Sequence, residues 1–150
     1  MKKFRFSLET VLDYKQQVLA ALQTEHGAIL AQVRDQEKLL EELEAGYRHM
    51  NHEFTRHKLS GISIVDAMKY EQYLRSMERQ IQEETERLEE LRAQEEAKRE
   101  QVVEAKKETS AIEKLREKKL ESYNKALQKS EEAMIDELVS TKRVMAAQSA

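Results

Sequence analysis

From Leu8 onward the apolar residues recur at steps that alternate four and three: Leu8, Leu12, Lys15, Leu19, Leu22, His26, Ile29, Val33, Gln36, Leu40, Leu43, Tyr47, Met50 and Phe54. Eleven of these fourteen are apolar, counting the tyrosine, and the alternation never slips. That period is the seam of a coiled coil. A second series starts at Ala67 and runs through Tyr70, Leu74, Met77, Ile81, Leu88, Leu91, Val102 and Ala105 to Ile112. Between the two the pattern stops, over His57 to Ser63. The spacing therefore predicts helix 1 over about 7–57, a bend over 58–63 and helix 2 over about 64–145. The expected fold is all-α: one long antiparallel two-helix coiled coil, a helical hairpin forming a single domain.

Local signals at the ends agree. Ser7 is placed to cap helix 1, with Phe6 and Val11 as a hydrophobic staple. Gly61 can take positive φ just past a helix end without a Cβ penalty. Ser63, with Asp66 three residues on, can open helix 2 as a variant capping box.

Equal rise per residue on both arms means that facing residues have numbers summing to about 121. Met50 then falls near Tyr70 and Leu74, Leu43 near Met77, Leu40 near Ile81, Val33 near Leu88, Ile29 near Leu91 and Leu19 near Val102. The polar exceptions are His26 with Glu95 and Lys98, and farther along Lys15 with Thr109. Polar seam residues fix register at a cost in stability, so the half beyond them is expected to be softer than the bend-side half.

Level with Ile112 the first helix runs out while the second continues, which predicts an overhanging C-terminal helix. Its apolar stripe reads Leu115, Leu120, Tyr123, Leu127, Met134, Leu138 and Met145, with a shift of phase around Ile112 to Leu120. About 30 residues, or about 45 Å of helix, are left without a partner in the chain. A long amphipathic helix with nothing to bury against points to a partner protein.

Composition narrows the function more than the fold. The 150 residues are 37% charged, hold no proline and carry a net charge of −3 with both signs interspersed, so no nucleic-acid footprint is expected. There are no cysteines, which removes disulfide frameworks and thiolate metal sites. The opening Met-Lys-Lys-Phe-Arg-Phe-Ser lacks the apolar run of a signal peptide. With no run long enough to span a bilayer, a cytoplasmic protein is expected, meeting the membrane only through partners.

Candidate chemistry is sparse. His49 and His52 stand one turn apart with His57 beyond, yet the spacing matches neither His-Glu-x-x-His nor a zinc finger, so no metal or other cofactor is expected. Paired carboxylates abound, but a two-helix rod has no water-poor pocket to make them catalytic, and no enzyme is expected. Basic groups at Lys2, Lys3 and Arg5 and at Lys114 to Lys119 read as solvated faces. The densest aromatic and methionine cluster joins Tyr47, Met50, Tyr70, Tyr73, Leu74 and Met77. Most of it packs the seam, but Tyr73 lies off it and, with Tyr47 at the rim, suits an exposed binding anchor.

Several stretches together resemble the flagellar export protein FliJ family: Phe4-Arg-Phe-Ser-Leu-Glu-Thr-Val-Leu-Asp-Tyr-Lys, the Ser60-Gly61 bend, Lys69-Tyr-Glu-Gln-Tyr-Leu with Met77 and Ile81, Lys118-Lys-Leu-Glu-Ser-Tyr, and Asp136-Glu-Leu. The likeness covers nearly the whole chain, and the starting Phe-x-Phe pattern is its most specific part. It implies a component of the flagellar type III export apparatus, similar to the central stalk of rotary ATPases. Implied partners are the export ATPase ring, the cytoplasmic region of the membrane export gate, and empty export chaperones. By position the resemblance gives the gate contact to Tyr73 and Met77, beside Tyr47, and the ATPase contact to Leu120, Tyr123, Leu127, Met134 and Leu138. A competing expectation is a generic coiled-coil spacer or dimerisation protein, whose free stripe would pair with itself.

Overall fold

A computed structural model describes residues 2–149. The chain forms two helices, α1 (Glu9–Ser60) and α2 (Ile64–Ser149), which pack on each other as a helical hairpin; no strand occurs among the described residues. Helix 1 runs three residues beyond its expected end at 57, because Lys58, Leu59 and Ser60 carry nothing that breaks a helix before Gly61. Gly61 has φ +102° and stops it. Only three residues join the helices, and the Ser63 hydroxyl accepts the Asp66 amide at 3.1 Å while its carbonyl accepts Ala67 N–H at 3.0 Å. Ser63 is thus the N-cap that the spacing predicted.

The start of α1 differs from expectation. The first i to i+4 bond runs from Leu12 N–H to the Leu8 carbonyl at 2.8 Å, preceded by a tighter turn from Glu9 N–H to the Phe6 carbonyl at 3.2 Å. Leu8 therefore holds the cap position rather than Ser7. The tight turn moves the helix entry by one residue, as 3₁₀ turns at helix ends do.

Packing divides into two compact units, one of Ala20–Val103 and one of the residues up to Leu19 with those from Glu104 on. In the first, Val33, Leu88 and Leu91 are buried together, with Ile29 and Leu40 against them. Leu74 and Phe54 are also buried, and the Phe54 and Tyr70 rings stack at 5.0 Å. Each fully buried large side chain of this kind contributes about 1.5–3 kcal/mol. Gln36 is buried too, its amide donating to the Glu84 carbonyl at 3.0 Å and to the Glu84 carboxylate. Facing pairs here follow the constant-sum rule to within a few residues.

The second unit is built on Leu12, Ala105 and Thr109, all buried. The Thr109 hydroxyl donates to the Ala105 carbonyl at 2.7 Å, which removes the cost of a hydroxyl in the seam. Lys15 is half-buried and reaches Glu108 at 2.8 Å, a bond that raises its pKa.

Candidate docking surfaces

In the unit that holds both chain ends, the covered positions of α2 run Thr109, Ile112, Arg116, Leu120, Tyr123 and Leu127. Two successive steps of four, from Ile112 to Arg116 to Leu120, make the expected shift of phase. The stripe does not pass through Leu115, which is 39% exposed. Arg116 takes that place and is held by Glu9 at 2.9 Å.

The expectation that everything beyond Ile112 lies bare is also corrected. Residues before α1 form an arm along α2: Tyr123 donates its hydroxyl proton to the Lys2 carbonyl at 2.6 Å, and its ring meets Phe4 at 5.6 Å. The Arg116 guanidinium lies over the Phe4 ring, 5.6 Å from its centre. Phe4 and Phe6 are half-buried as a result. Their signal was present as Phe4 and Phe6, apolar residues two apart, the spacing of an extended segment with one covered side. Leu120, Tyr123 and Leu127, expected in the ATPase contact, are half-buried, Tyr123 under the arm itself.

Beyond Ser130 the picture changes. Every described residue from Glu131 to Ser149 is exposed, and all of them are helical. Met134, Ile135, Leu138, Val139, Val144 and Met145 are 43–65% exposed. Met134 and Leu138 were read from the sequence as the docking stripe. Ile135 and Val139 widen it by a second row one residue on, which a strict four-three count passes over.

In the other unit, the three residues given to the gate contact have unequal access. Tyr73 is 52% exposed. Met77, one turn on, is half-buried with its methyl against Gly46, where an added Cβ would stand 3.4 Å away. Tyr47 is half-buried and donates its hydroxyl proton to Glu78 at 2.6 Å, a bond that raises its pKa. Tyr73 also borders a groove of about 610 Å³ with Met50, His57, Tyr70 and Gly61.

Charged groups cluster within the same unit at His26. Its Nε2 lies 2.9 Å from Glu95, which is only 8% exposed and also receives the Arg99 guanidinium at 2.6 Å. Those two bonds, Arg99 first and His26 second, hold the Glu95 carboxyl down at a pKa of about 2. Lys98 pairs beside them with Glu25 at 2.8 Å. Every buried polar side-chain atom among the described residues has a partner. His57, from the histidine trio, lies 5.8 Å from the Tyr70 ring and 3.9 Å from Glu53.

A helical hairpin whose polar groups pair along its own seam, and whose terminal helix offers a bare apolar face, defines a helical interaction protein. The sequence model of the family described as Flagellar FliJ protein matches residues 4–148. The chain belongs to that family, whose members are components of the flagellar export apparatus. No curated protein and no solved structure matched the chain. Among the described residues no helix is long and apolar enough to cross a membrane.

Proposed function

We propose that this chain is a non-enzymatic stalk and adaptor of flagellar type III export. It promotes assembly of the export ATPase ring, links that ring to the cytoplasmic region of the membrane export gate and escorts export chaperones. It works in the cytoplasm, at the face of the cell membrane through those partners.

The observation that carries this reading is the bare helical face of Met134, Ile135, Leu138 and Val139. Apolar side chains at one-turn spacing are how a helix enters a groove on a partner. The ATPase contact is centred there, with Leu127, Tyr123 and Leu120 joining once the N-terminal arm is displaced. The gate contact is centred on Tyr73, the most accessible of its three residues, with Met77 and Tyr47 supporting it from below.

Co-purification tests each half. Met134→Glu with Leu138→Glu is expected to abolish recovery of the export ATPase while helix content is kept. Undiminished recovery would remove the ATPase half. Tyr73→Ala is expected to weaken binding to the gate's cytoplasmic region, and unchanged binding would remove the other half. Sedimentation of a stable dimer through the bare stripe, indifferent to added ATPase, would favour a generic coiled-coil spacer instead.

A further inference from the structure

Three cations of the arm, Lys2, Lys3 and Arg5, and one of α2, Lys119, border a single open groove of about 1250 Å³. Nearly the whole hairpin separates the arm from Lys119 in sequence, so only the fold brings the four together. Ser7 and Ser122 stand with them, and among the described residues no carboxylate borders the groove.

The chain as a whole is net negative at −3, so the carboxylates nearby matter one by one. Residues 2–9 and 113–126 hold eight cations and four carboxylates, Glu9, Glu113, Glu117 and Glu121. Each of the four is turned elsewhere. Glu9 takes the Arg116 guanidinium at 2.9 Å, Glu121 takes Lys125 at 3.1 Å, and Glu113 accepts from the Gln16 amide at 3.3 Å. Glu117 borders a different groove, shared with Glu9 and Glu113. Two residues either side of Lys119, Glu117 and Glu121 lie about 160° round the helix from it. Among the described residues, none of Lys2, Lys3, Arg5 and Lys119 has a carboxylate within ion-pair distance.

The arm is therefore held on α2 against like charge, by the contacts of Phe4 and by the Tyr123 hydroxyl on the Lys2 carbonyl. An anion in the groove would remove that repulsion and fasten the arm, and by linkage a fastened arm would favour the anion equally.

We infer that the groove between the arm and α2 binds a polyphosphate chain, with Lys2, Lys3, Arg5 and Lys119 on its charges and the Ser7 and Ser122 hydroxyls donating to its oxygens. Every one of these groups can donate, which suits a ligand whose oxygens accept. One short arm and one turn of α2 supply all six, so they converge on a space of small-molecule size rather than on the broad face that a protein partner covers. An acidic peptide spreads its charges along its backbone, whereas a phosphate chain concentrates them where the four cations meet. The inference does not rest on the export contacts proposed above.

Titration calorimetry of the full chain with sodium tripolyphosphate, at fixed ionic strength, is expected to show one saturable site. Lys119→Gln and Arg5→Gln should each weaken it about fivefold, the worth of one exposed charge pair. Both replace exposed side chains, so the fold is kept. Lys114→Gln removes the same charge outside the groove and should leave the affinity unchanged. ATP should bind as tripolyphosphate does, and adenosine should not bind. Hydrogen exchange at the arm amides should slow with tripolyphosphate and not with sodium chloride of equal ionic strength. The inference is overturned by no binding, by adenosine binding as ATP does, by equal weakening in Lys114→Gln, by arm exchange that tripolyphosphate leaves unmoved, or by a polyglutamate peptide that binds more tightly than tripolyphosphate.

Discussion

His26 Nε2 lies 2.9 Å from Glu95 Oε1, and both side chains stand where the seam elsewhere carries aliphatic residues. Arg99 completes the arrangement from the next turn of α2. Folding holds the Glu95 carboxyl at about 2, below its ordinary 4.5. A carboxylate with a depressed folded pKa stabilises fully above its unfolded pKa and loses that contribution as pH falls through the folded one. The urea midpoint should therefore decline between pH 4.5 and about 2. Glu95→Gln should lower the midpoint at neutral pH and flatten that acid limb.

Leu88 and Leu138 share a residue type and differ in surroundings. Leu88 is 5% exposed against Val33 and Leu91, whereas Leu138 is 60% exposed. Leu88→Ala should cost about 2–5 kcal/mol in urea unfolding. For Leu138→Ala the expected change is within about 0.5 kcal/mol, as at a surface position. Recovery of the export ATPase should follow the opposite order.

At Gly61 the space is open, with no neighbouring atom within 4 Å of an added Cβ, so only the backbone resists substitution. Its φ of +102° lies in the region that L side chains avoid. Gly61→Ala should destabilise by about 1–2 kcal/mol. Thermal or urea unfolding, with helix content unchanged in the folded baseline, checks it.

Tyr123 fixes the N-terminal arm through a single hydroxyl and one ring. Tyr123→Phe keeps the ring and removes the bond to the Lys2 carbonyl, a loss of about 0.5–1.5 kcal/mol. Hydrogen exchange at the amides before α1 should quicken while exchange in the buried stretch around Leu88 stays as it was.

The hairpin was legible because the seam is regular. Of the positions predicted to face inward on α1, every one from Leu12 to Phe54 is buried or half-buried. The pairing of His26 with Glu95 was equally visible, since equal rise on both arms fixes who faces whom. Gly61 and Ser63 spoke through chemistry that few other residues share. What escaped was irregular. Arg116 replaces Leu115 on the covered line because two successive steps of four carry the stripe past the leucine, and composition alone favours the wrong neighbour. The arm escaped because the alternation of Phe4 and Phe6 is too short to read as a period, and the backbone carbonyl and two ring contacts that hold it leave no mark in the sequence. For the docking surfaces, Met134 and Leu138 were found as a stripe, whereas the widening by Ile135 and Val139 depends on nothing lying across them.

If the terminal helix is the docking surface proposed above, the arm laid over Tyr123 would set a graded response on it. A ligand that stops short of Ser130 meets a free surface and binds with its intrinsic strength. One that extends toward Leu120 competes with a segment tethered a few residues away, so its apparent affinity falls by the fraction of molecules in which that segment has lifted. Short and long ligands thus read the same helix with different thresholds, and loosening Phe4 would bring the two together.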